Sequence, residues 1–231
     1  KLDHAKIKEQ IRRNHKLRVH ILGLINLYGA AEVKWIHELY NHYHTKALTK
    51  EQIIDFINSD RGLRMRCKVI EDYIAEDTIY SVEEQNFYNF IQMTRNKPYY
   101  VPSKEYIELF SHETYYDNTL QIQKLKSYLK KNIVQDEELI EEAIMAVVMI
   151  ARVDCDNSSG TITLMLEEWS SIGIEIQNFA QANEIIKHIT AIINTTRKWI
   201  NKGYTSEELS TSVVTNMKGP RVRELDTQRN A

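Results

Sequence analysis

Gly62-Leu63-Arg64-Met65-Arg66-Cys67-Lys68-Val69 is the stretch on which the fold turns. Leu63, Met65, Cys67 and Val69 alternate with Arg64, Arg66 and Lys68, the period of a strand with one apolar and one cationic face. Residues 73–80 supply a return strand. The alternative is a fourth helix, because Met65, Val69 and Tyr73 are also helically spaced. Read as a hairpin, the stretch closes a series of three helical patterns that starts at Leu17. Three helices followed by a basic hairpin outline a winged helix.

The upstream patterns are regular. Leu17, Ile21, Leu24, Ile25 and Tyr28 share one helical face, and Gly29 closes that helix. Ile36, Leu39, Tyr40 and Tyr43 form the stripe of a second helix over residues 31–43. Thr49 and Gln52 make a capping box for a third, with Leu48 packing on Ile53 as a hydrophobic staple.

Downstream, Ser81 and Glu84 predict another capping box, opening a helix that runs through Phe87, Phe90, Ile91 and Thr94. Pro98 and Pro102 bracket a segment that must be extended, since each proline restricts its predecessor. The domain boundary is placed there. Helical periodicity then continues over residues 103–110, 119–131, 137–152 and 161–172. A long helix follows from Ala182 to near Gly203, and a short one starts at Ser206. The 137–152 segment is apolar on most of its circumference, as the central helix of a bundle would be. Trp35, Trp169 and Trp199 lie within helical patterns as core anchors. The expected fold is mainly α. A basic segment at 1–16 leads into a winged-helix-like domain at 17–97 with a small β hairpin. An all-helical bundle domain follows at 98–210, then a polar tail at 211–231.

Composition fits a soluble globular chain: 42% of its 231 residues are apolar and 27% charged, with a net charge of −2. The longest nearly apolar stretch, 143–151, is too short to span a bilayer, and no secretory leader is read at the start. Cys67 and Cys155 are too few for a disulfide framework, which predicts a reducing, cytoplasmic home. Cations concentrate in residues 1–20, whereas 136–142 is acidic.

The candidate nucleic-acid contacts are therefore Arg12, Arg13, Lys16 and Arg18 near the amino terminus and Arg61, Arg64, Arg66 and Lys68 on the wing. Such cations could follow a phosphate backbone. Against them, the third helix, which would enter the major groove, carries Glu51, Asp55 and Asp60 beside Lys50, and carboxylates facing phosphate oppose binding. His37, Glu38, His42 and His44 cluster near one helix, but the spacing of five between His37 and His42 spoils the four-residue convergence of a zinc-protease helix. Asp154, Asp156, Asn157 and Gly160 evoke a calcium loop without its offsets. No phosphate loop, nucleophile elbow or paired-cysteine motif is present. No catalytic, cofactor or metal residue is assigned within the chain.

Two resemblances add to this reading. Arg13, Asn14 and His20 resemble the active motif of HEPN ribonucleases, in which Arg and His polarise a ribose hydroxyl and the phosphate. Asn26-Leu27-Tyr28-Gly29, Lys97-Pro98-Tyr99-Tyr100-Val101-Pro102, Thr196-Arg197-Lys198-Trp199 and Asn201-Lys202-Gly203-Tyr204-Thr205-Ser206-Glu207-Glu208-Leu209 resemble a group of uncharacterised proteins of Gram-positive bacteria and their mobile elements. These commonly end in a SEC-C module, the small zinc-binding tail also found on the SecA translocase motor. Arg229-Asn230-Ala231 is similar to what precedes the cysteine cluster of that module. The resemblance implies a zinc knuckle beyond Ala231, with none of its ligands in this chain, and docking on a protein or ribosome-like surface.

The expected role is a non-enzymatic adaptor or regulator with a protein partner and no membrane partner, of phage or mobile-element origin. The alternatives are a winged-helix regulator that binds nucleic acid and a HEPN-like ribonuclease.

Overall fold

A computed structural model describes residues 3–81, 83–154 and 159–212. They form two compact units, one reaching Tyr115 and one starting at Tyr116. Asp156 and Asn157 of the loop compared with a calcium site, and the SEC-C-like residues 229–231, lie outside the described residues.

The first unit opens on α1 (His4–Tyr28), which begins where the Asp3 carboxylate accepts the amide hydrogens of Ala5 and Lys6. The basic segment 1–16 is thus not a separate arm; its described part is the first half of this long helix. Gly29 ends α1 at φ +70°, returning its N–H to the Ile25 carbonyl at 2.8 Å, a backbone region that costs glycine nothing. Next come β1 (Ala30–Glu32), α2 (Val33–Tyr43), α3 (Lys50–Ser59), α4 (Arg61–Arg64), β2 (Cys67–Ile70) and β3 (Tyr73–Glu76). The three strands form an antiparallel sheet in the order β1-β3-β2. Three helices interleaved with that sheet are a winged-helix-like arrangement, and the domain is mainly α with a small β hairpin.

The capping box of α3 is complete: Thr49 Oγ1 accepts from Gln52 N at 3.3 Å, and Gln52 Oε1 accepts from Thr49 N at 3.0 Å. Leu48 and Ile53 are both buried. The hairpin is shorter than its alternation predicts. Asp60 Oδ1 accepts the Leu63 amide hydrogen at 3.0 Å and caps a single helical turn, so Arg61 and Arg64 are helical and the strand begins only at Cys67. Its partner also stops early, at Glu76, whose side chain caps α5 (Asp77–Tyr80). Ile70 pairs with Tyr73 across a two-residue turn, in which Glu71 takes φ +52°. The tip of the wing is therefore Glu71-Asp72, an acidic pair.

Then come α6 (Glu84–Thr94), with Glu83 rather than Ser81 in the capping position, and α7 (Lys104–Phe110), capped by Ser103. The segment 98–102 belongs to no helix or strand, and it joins no second domain. Tyr99, Tyr100 and Val101 pack on the core of the first unit. Tyr99 stacks on Trp35 at 5.0 Å between centroids, and its hydroxyl accepts from Glu32 N. The Tyr28 hydroxyl donates to the Tyr100 carbonyl at 2.6 Å, and that of Tyr43 to the Pro102 carbonyl at 2.7 Å. The boundary expected at 97/98 thus falls inside this unit, with the junction at Tyr115–Tyr116.

Helix α7 lies directly on α1. A Cβ on Gly23 would sit 2.1 Å from the Ile107 carbonyl oxygen, so only glycine allows this approach. Asn26 Nδ2 donates to the carbonyl of Phe110 at the end of α7 (2.8 Å).

The second unit is all-helical: α8 (Leu120–Asn132), α9 (Glu137–Val153), α10 (Ser159–Ser171), α11 (Phe179–Thr195), a 3-10 turn (Trp199–Asn201) and α12 (Ser206–Ser212). Its core holds Leu125, Leu129, Ile144, Val147, Trp169 and Ile189. The long helix expected to reach Gly203 stops at Thr195. Thr195 and Thr196 turn their hydroxyls back on the Ile192 carbonyl, and Thr196 is extended. The freed segment lets Lys198 bury itself against Asp154 (3.4 Å) and Arg197 grip Glu208 in a two-pronged pair at 3.0 and 3.1 Å. No helix among the described residues is long and apolar enough to cross a membrane.

Candidate functional site

The cations expected to hold nucleic acid do not form one surface. Arg18 is tied to Asp60, with Nε donating to Oδ2 at 3.1 Å. Arg66 sits between Glu76, at 3.9 Å, and Glu113, and it also donates to Asn26 Oδ1 at 3.4 Å. Arg66 precedes β2 and so does not belong to the strand face on which the alternation put it. Lys68 is on β2 but leans over the Tyr80 ring at 5.6 Å. Arg61 and Arg64 are exposed on the α4 turn. The neighbouring surface of α3 exposes Glu51 and Asp55, and the wing ends in Glu71 and Asp72.

Arg12, Arg13 and Lys16 have a different setting. They border a cleft walled by α1, the residues that follow α2, and α7. One part of it, about 370 Å³ (the inner one below), is lined by His15, Lys16, Val19, His44, Lys104 and Ile107, among others. The outer recess, about 340 Å³, adds Arg12, Arg13, Tyr40 and Tyr43 and shares Lys16, His44 and Lys104 with the inner one. Lys46 also lines the recess but is paired with Glu9.

Four further residues of the site, His15, His44, Lys104 and His112, were not legible in the sequence as a group. Helix α7 brings Lys104 and His112 across to α1, and no local spacing announces that packing.

His20, the HEPN-like histidine, forms part of the cleft floor and is only 2% exposed. Its Nε2 lies 3.4 Å from the Ile36 carbonyl, and its ring meets Tyr40 and His44 edge-on. Burial, then the neighbouring His44, pulls its pKa down to about 3. A ring this enclosed is a neutral packing element, which argues against a proton-transfer role for it. His44 stacks on Tyr40 at 4.3 Å. Burial lowers its pKa to about 4, helped by the charges of Lys104 and Lys16. His44 is thus an uncharged ring at neutral pH, lining the cleft with Lys16 and Lys104.

Among the described residues no group of three or more His, Cys, Asp or Glu is placed to hold a metal ion. His37 instead bonds Asn41 at 2.9 Å, and His44 turns into the cleft. Cys67 is buried, and its thiol is pushed up to about 12 by burial and by Glu76.

The first three turns of α1 carry one more feature. Ile7 and Ile11 lie four residues apart on one face and are 38% and 63% exposed. Lys8 and Arg12 flank them. Comparison with protein-family models, curated proteins and solved structures finds no match to the chain.

Proposed function

We propose that this protein is a non-enzymatic adaptor whose winged-helix-like unit docks on an acidic protein partner through the exposed half of α1. The observation that carries this is the pair Ile7 and Ile11, open to solvent on a helix studded with Lys6, Lys8, Arg12 and Arg13. A phosphate backbone gives isoleucine side chains nothing to pack on. An acidic protein groove supplies both an apolar floor and carboxylates, as in the helix-in-groove mode of recognition. The surfaces a winged helix offers to duplex DNA point the same way, since α3 and the wing tip are acidic and would repel phosphates.

Affinity capture from nuclease-treated lysate tests the reading, with wild type beside an Ile11→Glu/Arg12→Glu/Arg13→Glu variant. The expected result is a protein retained by wild type and lost by the variant. Equal retention by both, or retention that disappears with the nuclease, overturns it.

A further inference from the structure

We propose that the cleft between α1 and α7 binds a small molecule carrying phosphate groups, of about nucleotide size, with Lys16 and Lys104 as its principal anion contacts. This goes beyond the adaptor reading and does not depend on it.

Lys16 projects from α1 and Lys104 from the first turn of α7, and both lie close enough to His44 to depress its protonation. Arg12 and Arg13 continue the positive rim into the outer recess. The carboxylate facing them in the inner part is Glu108, while Glu9 is occupied by Lys46. Lys16 and Lys104 therefore line both adjoining recesses, Arg12 and Arg13 line the second, and among the described lining residues the acid not paired with Lys46 is Glu108. Ammonium groups brought together in this way repel each other, and an anion between them relieves the repulsion. Because the walls exclude part of the solvent, the attraction there is screened less than on an open surface.

Shape agrees with charge. An inner space of about 370 Å³ is in the range that accommodates drug-sized ligands. It is not uniformly polar: Val19 and Ile107 provide apolar wall, and Tyr40 borders the outer recess. His15 and His112 stand at the lining as further hydrogen-bond donors. The neutral His44 ring adds a donor without adding to the repulsion. A cationic end with an apolar wall suits a phosphorylated small molecule better than a bare inorganic ion. A duplex backbone is too wide to enter a concavity of this volume.

The groups facing His44 are Lys16, His20 and Tyr40 from the helices beside it, and Lys104, Glu108 and His112 from the α7 side. A bound phosphate would cancel the influence of the two lysines, so the His44 pKa should rise on binding. That shift reports a ligand in this cleft and nowhere else on the protein.

The test titrates the whole chain with pyrophosphate and with ADP, following the histidine ring resonances by NMR at low salt. Saturable binding of either probe is expected, at about 1 mM or tighter, with His44 displaced and its pKa raised. Lys104→Gln and Lys16→Gln should each weaken binding about tenfold, whereas Arg61→Gln on the far α4 turn should not. Tighter binding of ADP than of pyrophosphate is expected, with the apolar wall taking the rest of the ligand; equal binding would assign the site to phosphate alone and overturn the nucleotide-sized ligand. Failure of both probes to saturate, an unmoved His44, equal loss in Arg61→Gln, or binding by an oligonucleotide only would overturn the proposal. Since both probes are small molecules and the protein is pure, a negative result leaves the adaptor reading standing.

Discussion

The Arg18 guanidinium lies against the Asp60 carboxylate and joins the middle of α1 to the start of α4. The same carboxylate caps α4 through the Leu63 amide. One side chain thus holds two elements, and a cation that looked available for phosphate is committed to the fold. Asp60→Ala should lower stability by about 1–3 kcal/mol, seen as a lower urea midpoint at unchanged slope. Arg18→Ala should cost less, because Arg18 is 43% exposed and exposed pairs contribute little. Burial alone would raise the Asp60 pKa; the Arg18 bond and the amides of Leu63 and Gly62 outweigh it and hold the carboxyl below its usual 3.8. The unfolded carboxylate then takes up its proton first. The stabilisation is present at neutral pH and is lost as pH falls below about 3.8.

His20 gives acid sensitivity in a higher window. In the unfolded chain it binds a proton near pH 6.5, whereas in the folded protein it does so only near 3. The unfolded state therefore holds more protons between these values, and stability should fall as pH drops through 6.5, by up to about 1.4 kcal/mol per pH unit. His44 acts in the same direction. Urea melts at pH 7, 6 and 5 check this before carboxylates begin to titrate. In His20→Phe the loss between pH 7 and 5 should be visibly smaller. An unchanged pH profile in that variant would mean the ring is solvated in the folded protein.

In the second unit, Lys198 is fully buried against Asp154, and the other Asp154 oxygen accepts from Thr161 Oγ1 at 2.8 Å. Removing the carboxylate takes its ion-pair partner from a buried ammonium, so Asp154→Ala should lower stability, by up to about 3–5 kcal/mol. Replacing both, Asp154→Leu with Lys198→Met, should recover much of that loss, because the pair's desolvation penalty disappears with its attraction. A thermal or urea melt of the single and double variants decides it. A double variant as unstable as the single would show that further members of the network depend on the pair.

The sequence made some of these relationships legible and hid others for physical reasons. The Thr49/Gln52 capping box and the Leu17 to Tyr28 stripe were readable because both ends of each interaction lie within one or two helical turns. The strand β1 was not, since Ala30-Ala31-Glu32 is too short to show a period. The alternation at 63–69 overstated the wing, because a local bond from Asp60 to Leu63 holds the first residues in a helical turn. The Pro98–Pro102 segment was legible as a joint outside any helix, but its aromatic residues were not readable as anchors. Tyr99 needs Trp35 and Tyr100 needs Tyr28, and neither pairing leaves a trace in local spacing. The candidate cleft was half visible. Arg12, Arg13 and Lys16 stood out as a charge run, while Lys104 and His112 reach them only because Gly23 lets α7 settle on α1.

Whether the exposed half of α1 meets a protein rather than a nucleic acid is decided by cross-linking in cells. A photoreactive phenylalanine analogue replaces Ile11, and the adducts are split between nuclease and protease treatment. The account predicts one defined adduct that resists nuclease, is destroyed by protease, and disappears when Arg12→Glu and Arg13→Glu are added. An adduct removed by nuclease, or an Ile11 probe that captures nothing while control positions on α9 do, contradicts it.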